Sequence, residues 1–143
     1  MTWPSRRHAL ILPIKSAIAF TEVKLLLLAR GKGTTKDLDK VGTPHFAQFM
    51  PLEDNQIGFF TVYDGTFETY IADFTKNIGQ VFDIIFKFTQ DPPPSPCRMH
   101  LEEFIDFAAR ASRAPIGFYQ AYPGLSVQDI HALLADSKAG TPR

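Results

Sequence analysis

Cysteine is almost missing from this chain. The single Cys97 has no partner for an internal disulfide, which fits a reducing, cytoplasmic setting. Net charge is missing too: Lys plus Arg and Asp plus Glu number 15 each. No global field therefore favours nucleic acid or an anionic membrane, and the longest basic cluster, Arg6-Arg7-His8, is too short for a binding patch. No run approaches the ~20 apolar residues of a membrane span. The basic N-terminus leads into an apolar run that Pro13 and Lys15 break and that has no small-residue cleavage site, so a signal peptide is not expected. Histidine is sparse and scattered. His100 and Glu103 stand at helical i, i+3 spacing, but two further metal ligands are not in sight. The segment Gly31-Lys32-Gly33-Thr34 has its residues in the wrong order for a phosphate loop.

Phenylalanine is abundant. The chain has 13 of them in 143 residues, more buried aromatic surface than one small core needs, and this suggests a lined cavity or a subunit interface. The length suits one domain, residues 1–143, with flexible tails expected at 1–7 and 139–143. The spacing predicts strand 1 over His8–Lys15, a helix from Ala17 to Arg30 capped by Ser16 and stopped by Gly31, then a polar surface loop to Lys40. Two apolar runs, Thr43–Met50 and Ile57–Tyr63, flank the turn Glu53-Asp54-Asn55-Gln56 and read as a hairpin. Thr66 caps a helix in which Phe67, Tyr70, Ile71 and Phe74 keep helical spacing, with a bend expected at Asn77-Ile78-Gly79. Asp91–Pro96 must be extended. A helix follows from about His100 to Arg110, then strand 4 over Pro115–Tyr122, then a last helix from Val127 capped by Ser126.

The order β-α-β-β-α-β with extra helices predicts an α+β, ferredoxin-like split βαβ sandwich. Its antiparallel sheet should run 4-1-3-2, with strand 2 on an edge as Pro44 and Pro51 require. Placing Leu52 opposite Ile57 pairs Phe49 with Phe60, Ala47 with Val62 and His45 with Asp64. It gives Phe46, Gln48 and Met50 one face with Phe59, Thr61 and Tyr63. A bulge would shift this by one. Both hairpin faces are then apolar, and the face that helices leave bare needs a cover. A second copy is the simplest one, so a homodimer is expected, its two sheets forming a dimeric α/β barrel. Phe59→Asp, by this reading, places a charge at the interface.

The run Thr43-Pro44-His45-Phe46-Ala47-Gln48-Phe49, the strand end Tyr63-Asp64-Gly65, the helix segment Tyr70-Ile71-Ala72-Asp73-Phe74 and the later Phe118-Tyr119-Gln120-Ala121-Tyr122 together resemble an uncharacterised bacterial family of ferredoxin-like dimeric α/β-barrel proteins. The resemblance spans roughly residues 8 to 135. It implies a dimeric barrel, and because some such barrels bind haem or carry out oxidations, it makes haem a candidate cofactor. Gln48 stands where the family pattern has arginine.

Two clusters are candidate sites. His45 and Asp64 form an imidazole–carboxylate pair of the kind a general base uses; the alternative is a structural bond, or a helix cap made by Asp64. Gln48, Thr61 and Tyr63, among Phe46 and Phe59, are candidate ligand-binding residues, since an apolar pocket with few polar groups is the usual composition of such sites. Dimer packing is the alternative. Three functions stay open: a dimer that binds a small apolar or aromatic molecule, an oxidoreductase with or without haem that uses His45 as base, and a structural domain whose barrel is filled.

Overall fold

The computed structural model describes residues 5–140. It is an α+β fold: β1 (Ser5–Pro13), α1 (Ala17–Val41), β2 (Pro44–Leu52), β3 (Gln56–Asp64), α2 (Phe67–Phe86), α3 (Leu101–Ala111), β4 (Ser112–Arg113) and α4 (Val127–Gly140), with a 3-10 turn at Cys97–Met99 before α3. The four strands form one antiparallel sheet in the order β2-β3-β1-β4, compatible with a ferredoxin-like fold. Expectations for residues 1–4 and 141–143 lie outside the described residues.

Helix starts follow the capping residues. Ser16 Oγ accepts from Ala19 N–H and Thr66 Oγ1 from Thr69 N–H. Ser126 and Asp129 exchange bonds in a reciprocal capping box, and the N–H of Ser126 holds the Asp129 carboxyl below its ordinary value. The bend in α2 falls at Ile78, whose φ is −129°. Gly79 there lies against the Cys97 thiol: a Cβ on it would stand 3.3 Å from the sulfur. Burial pushes that thiol up to about 12, and its proton goes to Gly79 O, so Cys97 is an inert core residue.

Three sequence expectations are corrected. First, α1 does not stop at Gly31; it runs through the expected loop to Val41. The left-handed stop is Gly42, at φ 77° with its N–H on Leu38 O. Leu38 packs on the core and Val41 joins it, and this anchorage outweighs the ~1 kcal/mol cost of each interior glycine.

Second, β4 is not Pro115–Tyr122. Only Ser112 and Arg113 pair, with Leu10 and Ala9. Pro115 follows after Ala114 and cannot donate to the ladder. Residues 114–126 then form an irregular connection to α4.

Third, the hairpin register is shifted by one. Asp54 and Asn55 adopt φ of 58° and 56°, which Asp and Asn tolerate. The chain therefore reverses in three residues, Leu52 meets Gln56 and Phe49 meets Phe59. Adjacent pairs share a face, so Phe59, Thr61 and Tyr63 turn inward to the helices with Leu10 and Leu12, all buried. Phe46, Gln48 and Met50 share the open face with Val62, Phe60, Gly58, Ala9 and Ile11. The two sets do not share one face. Phe59 is packed among Phe49, Phe74 and Phe82, so Phe59→Asp buries a carboxylate in the core instead of marking a subunit interface.

Gly58 leaves room for the Phe60 ring on the open face. The Phe60 ring lies over it, and a Cβ there would sit 2.6 Å from that ring.

Candidate functional site

At the end of the sheet where β1 and β2 begin and β3 finishes, a cleft of about 560 Å³ opens. Phe46, Phe60, Val62 and Phe118 give it apolar walls. Arg7, His45, Gln48 and Asp39 bring polar groups to it. The Arg7 guanidinium lies 4.7 Å from the Phe118 ring centre, a cation–π contact that holds the connection after β4 against the sheet.

His45 and Asp64 do meet, with Nε2 and Oδ1 2.8 Å apart and both side chains largely buried. The shifted register alone would set His45 against Tyr63. A β-bulge between Pro44 and Phe46 makes His45 an extra residue and re-aims its side chain. The other Asp64 oxygen, Oδ2, accepts from Val127 N–H at 2.7 Å. Asp64 thus caps α4, not the helix that follows it in sequence, and its charge faces the positive end of the α4 dipole. Gln128 Nε2 donates to Gly42 O, so the start of α4 is fastened to β3, to the bulge in β2 and to the end of α1.

Of the five candidate ligand-binding residues, Phe46 and Gln48 line the cleft; Thr61 borders it but turns its hydroxyl inward to Tyr70, and Phe59 and Tyr63 do not reach it. Tyr63 is buried and its hydroxyl lies 2.6 Å from His8 Nδ1. Its ring stacks on Tyr70 at 3.9 Å and 4°, and the Tyr70 hydroxyl meets Thr61 Oγ1 at 2.7 Å. His8 in turn stacks on Phe67. Burial pushes both phenols above their ordinary value, so both stay protonated, and Tyr63 and His8 share a hydrogen bond whose direction follows the His8 tautomer. Sequence reasoning missed His8 and Arg7. The available signal was alternation in β1: His8, Leu10 and Leu12 face the helices while Arg7, Ala9 and Ile11 face outward.

Burial first, then Arg6 and Arg7, pull the His8 pKa below 6.5. The folded state therefore binds fewer protons here than the unfolded state. The contribution of His8 is complete above pH 6.5 and falls as pH drops through the lowered folded value. Denaturant midpoints measured from pH 7.5 down to 5 should show a smaller acid loss in His8→Gln than in the parent. Equal losses would exclude this assignment.

His100 and Glu103 meet only at 4.0 Å on the surface, and among the described residues no group of three or more His, Cys, Asp or Glu could hold a metal. Nor do the residues fit a haem held by His45. Its Nε2, the ring nitrogen farthest from the backbone and the one a bulky macrocycle could reach, is bonded to Asp64. Among the described residues no helix is long and apolar enough to cross a membrane. Compared with known proteins, the chain matches no family model, and no curated protein or solved structure is significantly similar to it.

Proposed function

We propose that this is a ferredoxin-like, homodimeric α/β-barrel protein that binds a small apolar or aromatic molecule at the end of its open sheet face. The carrying observation is the cleft itself. Its volume of about 560 Å³ lies in the usual range for small-molecule sites, and aromatic walls with a few polar groups are their usual lining. Arg7 at the rim favours a ligand with an anionic end. The homodimer follows from the uncovered face, which carries Phe46 and Met50 exposed and Ile11, Phe60 and Val62 only part-covered.

Binding without chemistry is favoured over an oxidation with His45 as base. The Asp64 carboxylate shares itself between His45 and the α4 backbone, which is what a fastening needs.

The aromatic anion 1-anilinonaphthalene-8-sulfonate is a suitable probe. Its fluorescence should rise on mixing with the native protein. Val62→Trp, which fills the cleft from its floor, should weaken binding at least ~10-fold, or ~1.4 kcal/mol, with the far-UV circular dichroism unchanged. Equal binding by both proteins would reject the site.

A further inference from the structure

The connection after β4 is unusual for a surface segment. Residues 114–125, Ala-Pro-Ile-Gly-Phe-Tyr-Gln-Ala-Tyr-Pro-Gly-Leu, contain no charge. Ile116 is 110% exposed, Tyr119 86% and Tyr122 66%. A solvated loop of that length normally carries polar and charged residues, and large aromatics favour burial. The open sheet face is equally bare, with Phe46 74% exposed.

From this we infer that the connection is an arm that walls its own cleft through Pro115 and Phe118 and turns its outward side chains, Ile116, Tyr119 and Tyr122, onto the open face of a second copy. The inference rests on the homodimer proposed above and says which residues make it. Three geometric facts and one symmetry argument support it. The arm leaves the sheet at β4, on the edge opposite β2. It runs on from Arg113, opposite Ala9, toward the end where β1 starts. Phe46 and the cleft are at that same end. A two-fold axis that lies between two facing sheets and parallel to their strands keeps strand ends together and sets β4 of each copy over β2 of the other. Each arm then reaches Phe46 of the opposite copy, and the contact is isologous, as a closed dimer requires.

The area is adequate. At ~150–250 Å² for a full aromatic side chain, the exposed parts of Ile116, Phe118, Tyr119, Tyr122, Phe46 and Met50 amount to roughly 800 Å² per copy, the share that a standard interface takes from each partner. In the dimer each cleft, bounded by its own sheet and its own Pro115 and Phe118, gains the other copy's Ile116, Tyr119 and Tyr122 as a further cover.

The test uses the full chain at micromolar concentration. Sedimentation velocity should give a dimer, and the double variant Ile116→Asp, Tyr119→Asp should give a folded monomer. An independent experiment covers the case in which that variant misfolds. Separately tagged Phe46→Cys and Tyr119→Cys chains are mixed and oxidised, with the native Cys97 fully buried and out of competition. A mixed disulfide between the two tagged chains, read by mass, is the expected product. A parent that is monomeric, a double variant that stays dimeric, or the lack of the mixed product overturns the inference. Retention of the dimer and the mixed disulfide alongside failure of the dye experiment would overturn the ligand-binding reading and leave the arm standing. The reverse pattern would do the opposite.

Discussion

Phe82→Ala should lower the unfolding free energy by ~3–5 kcal/mol, the usual cost of emptying a buried phenylalanine site. Phe82 is 1% exposed. Its ring meets those of Phe49, Phe59, Phe74, Phe86 and Phe104 at centroid distances between 5.1 and 5.9 Å, tilted or edge-on. These partners come from β2, β3, α2 and α3, so one ring joins four elements. Neighbouring rings are too rigid to collapse into the space, which places the cost in the upper part of the range. A domain of this size has ~5–15 kcal/mol in total, so the loss should show as a large drop in the denaturant midpoint at constant protein concentration. Ile18→Ala, at a position 75% exposed on α1, is the control and should stay within ~0.5 kcal/mol. A loss below ~1 kcal/mol in Phe82→Ala would mean that the aromatic cluster is not the centre of the core.

The elements that could be read from the sequence were those with local causes. Ser16, Thr66 and Ser126 all cap where their hydroxyls predicted, because a cap is settled within four residues. The bend at Ile78 and the antiparallel strand order were legible for the same kind of reason, namely a glycine in a helical pattern and a proline-bearing edge strand. The misses were decided at a distance or by a single dihedral choice. Gly31 looked like a stop, but Leu38 and Val41, seven and ten residues later, gave the helix a reason to continue. Asp54 and Asn55 took positive φ together, which shortened the loop by one residue and moved Phe59, Thr61 and Tyr63 to the opposite face from the one expected. The His45–Asp64 pair was found through a register that the structure does not have. The bulge at His45 offsets the shift in the turn, and nothing in the local sequence announces that compensation. The bond between Tyr63 and His8 spans 55 residues and depends on the β1–β3 register.

Asp64 is the residue on which the ligand-binding and enzymatic readings diverge most sharply. As a fastening, its carboxylate holds two groups that belong to different parts of the chain, the His45 ring and the Val127 amide. Hydrogen bonds to a charged group are worth about 1.5–3 kcal/mol each. The two share one carboxylate, so they do not add in full, and Asp64→Ala should cost ~2–4 kcal/mol. Asp64→Asn keeps one carbonyl acceptor and should recover part of that loss. His45→Ala should cost less than Asp64→Ala, because Asp64 keeps its bond to α4. The distinguishing readout is local. α4 holds few buried residues, with Val127 buried and Leu133 and Leu134 both more than half exposed, so its attachment depends on its first turn. In Asp64→Ala the amides of that turn, Ile130 included, should exchange with solvent faster while those of α2 and β3 retain their order of protection. A carboxylate that served only to orient a catalytic imidazole would leave both the midpoint and the α4 amides as they are in the parent. That pair of unchanged measurements would return Asp64 and His45 to the enzymatic reading.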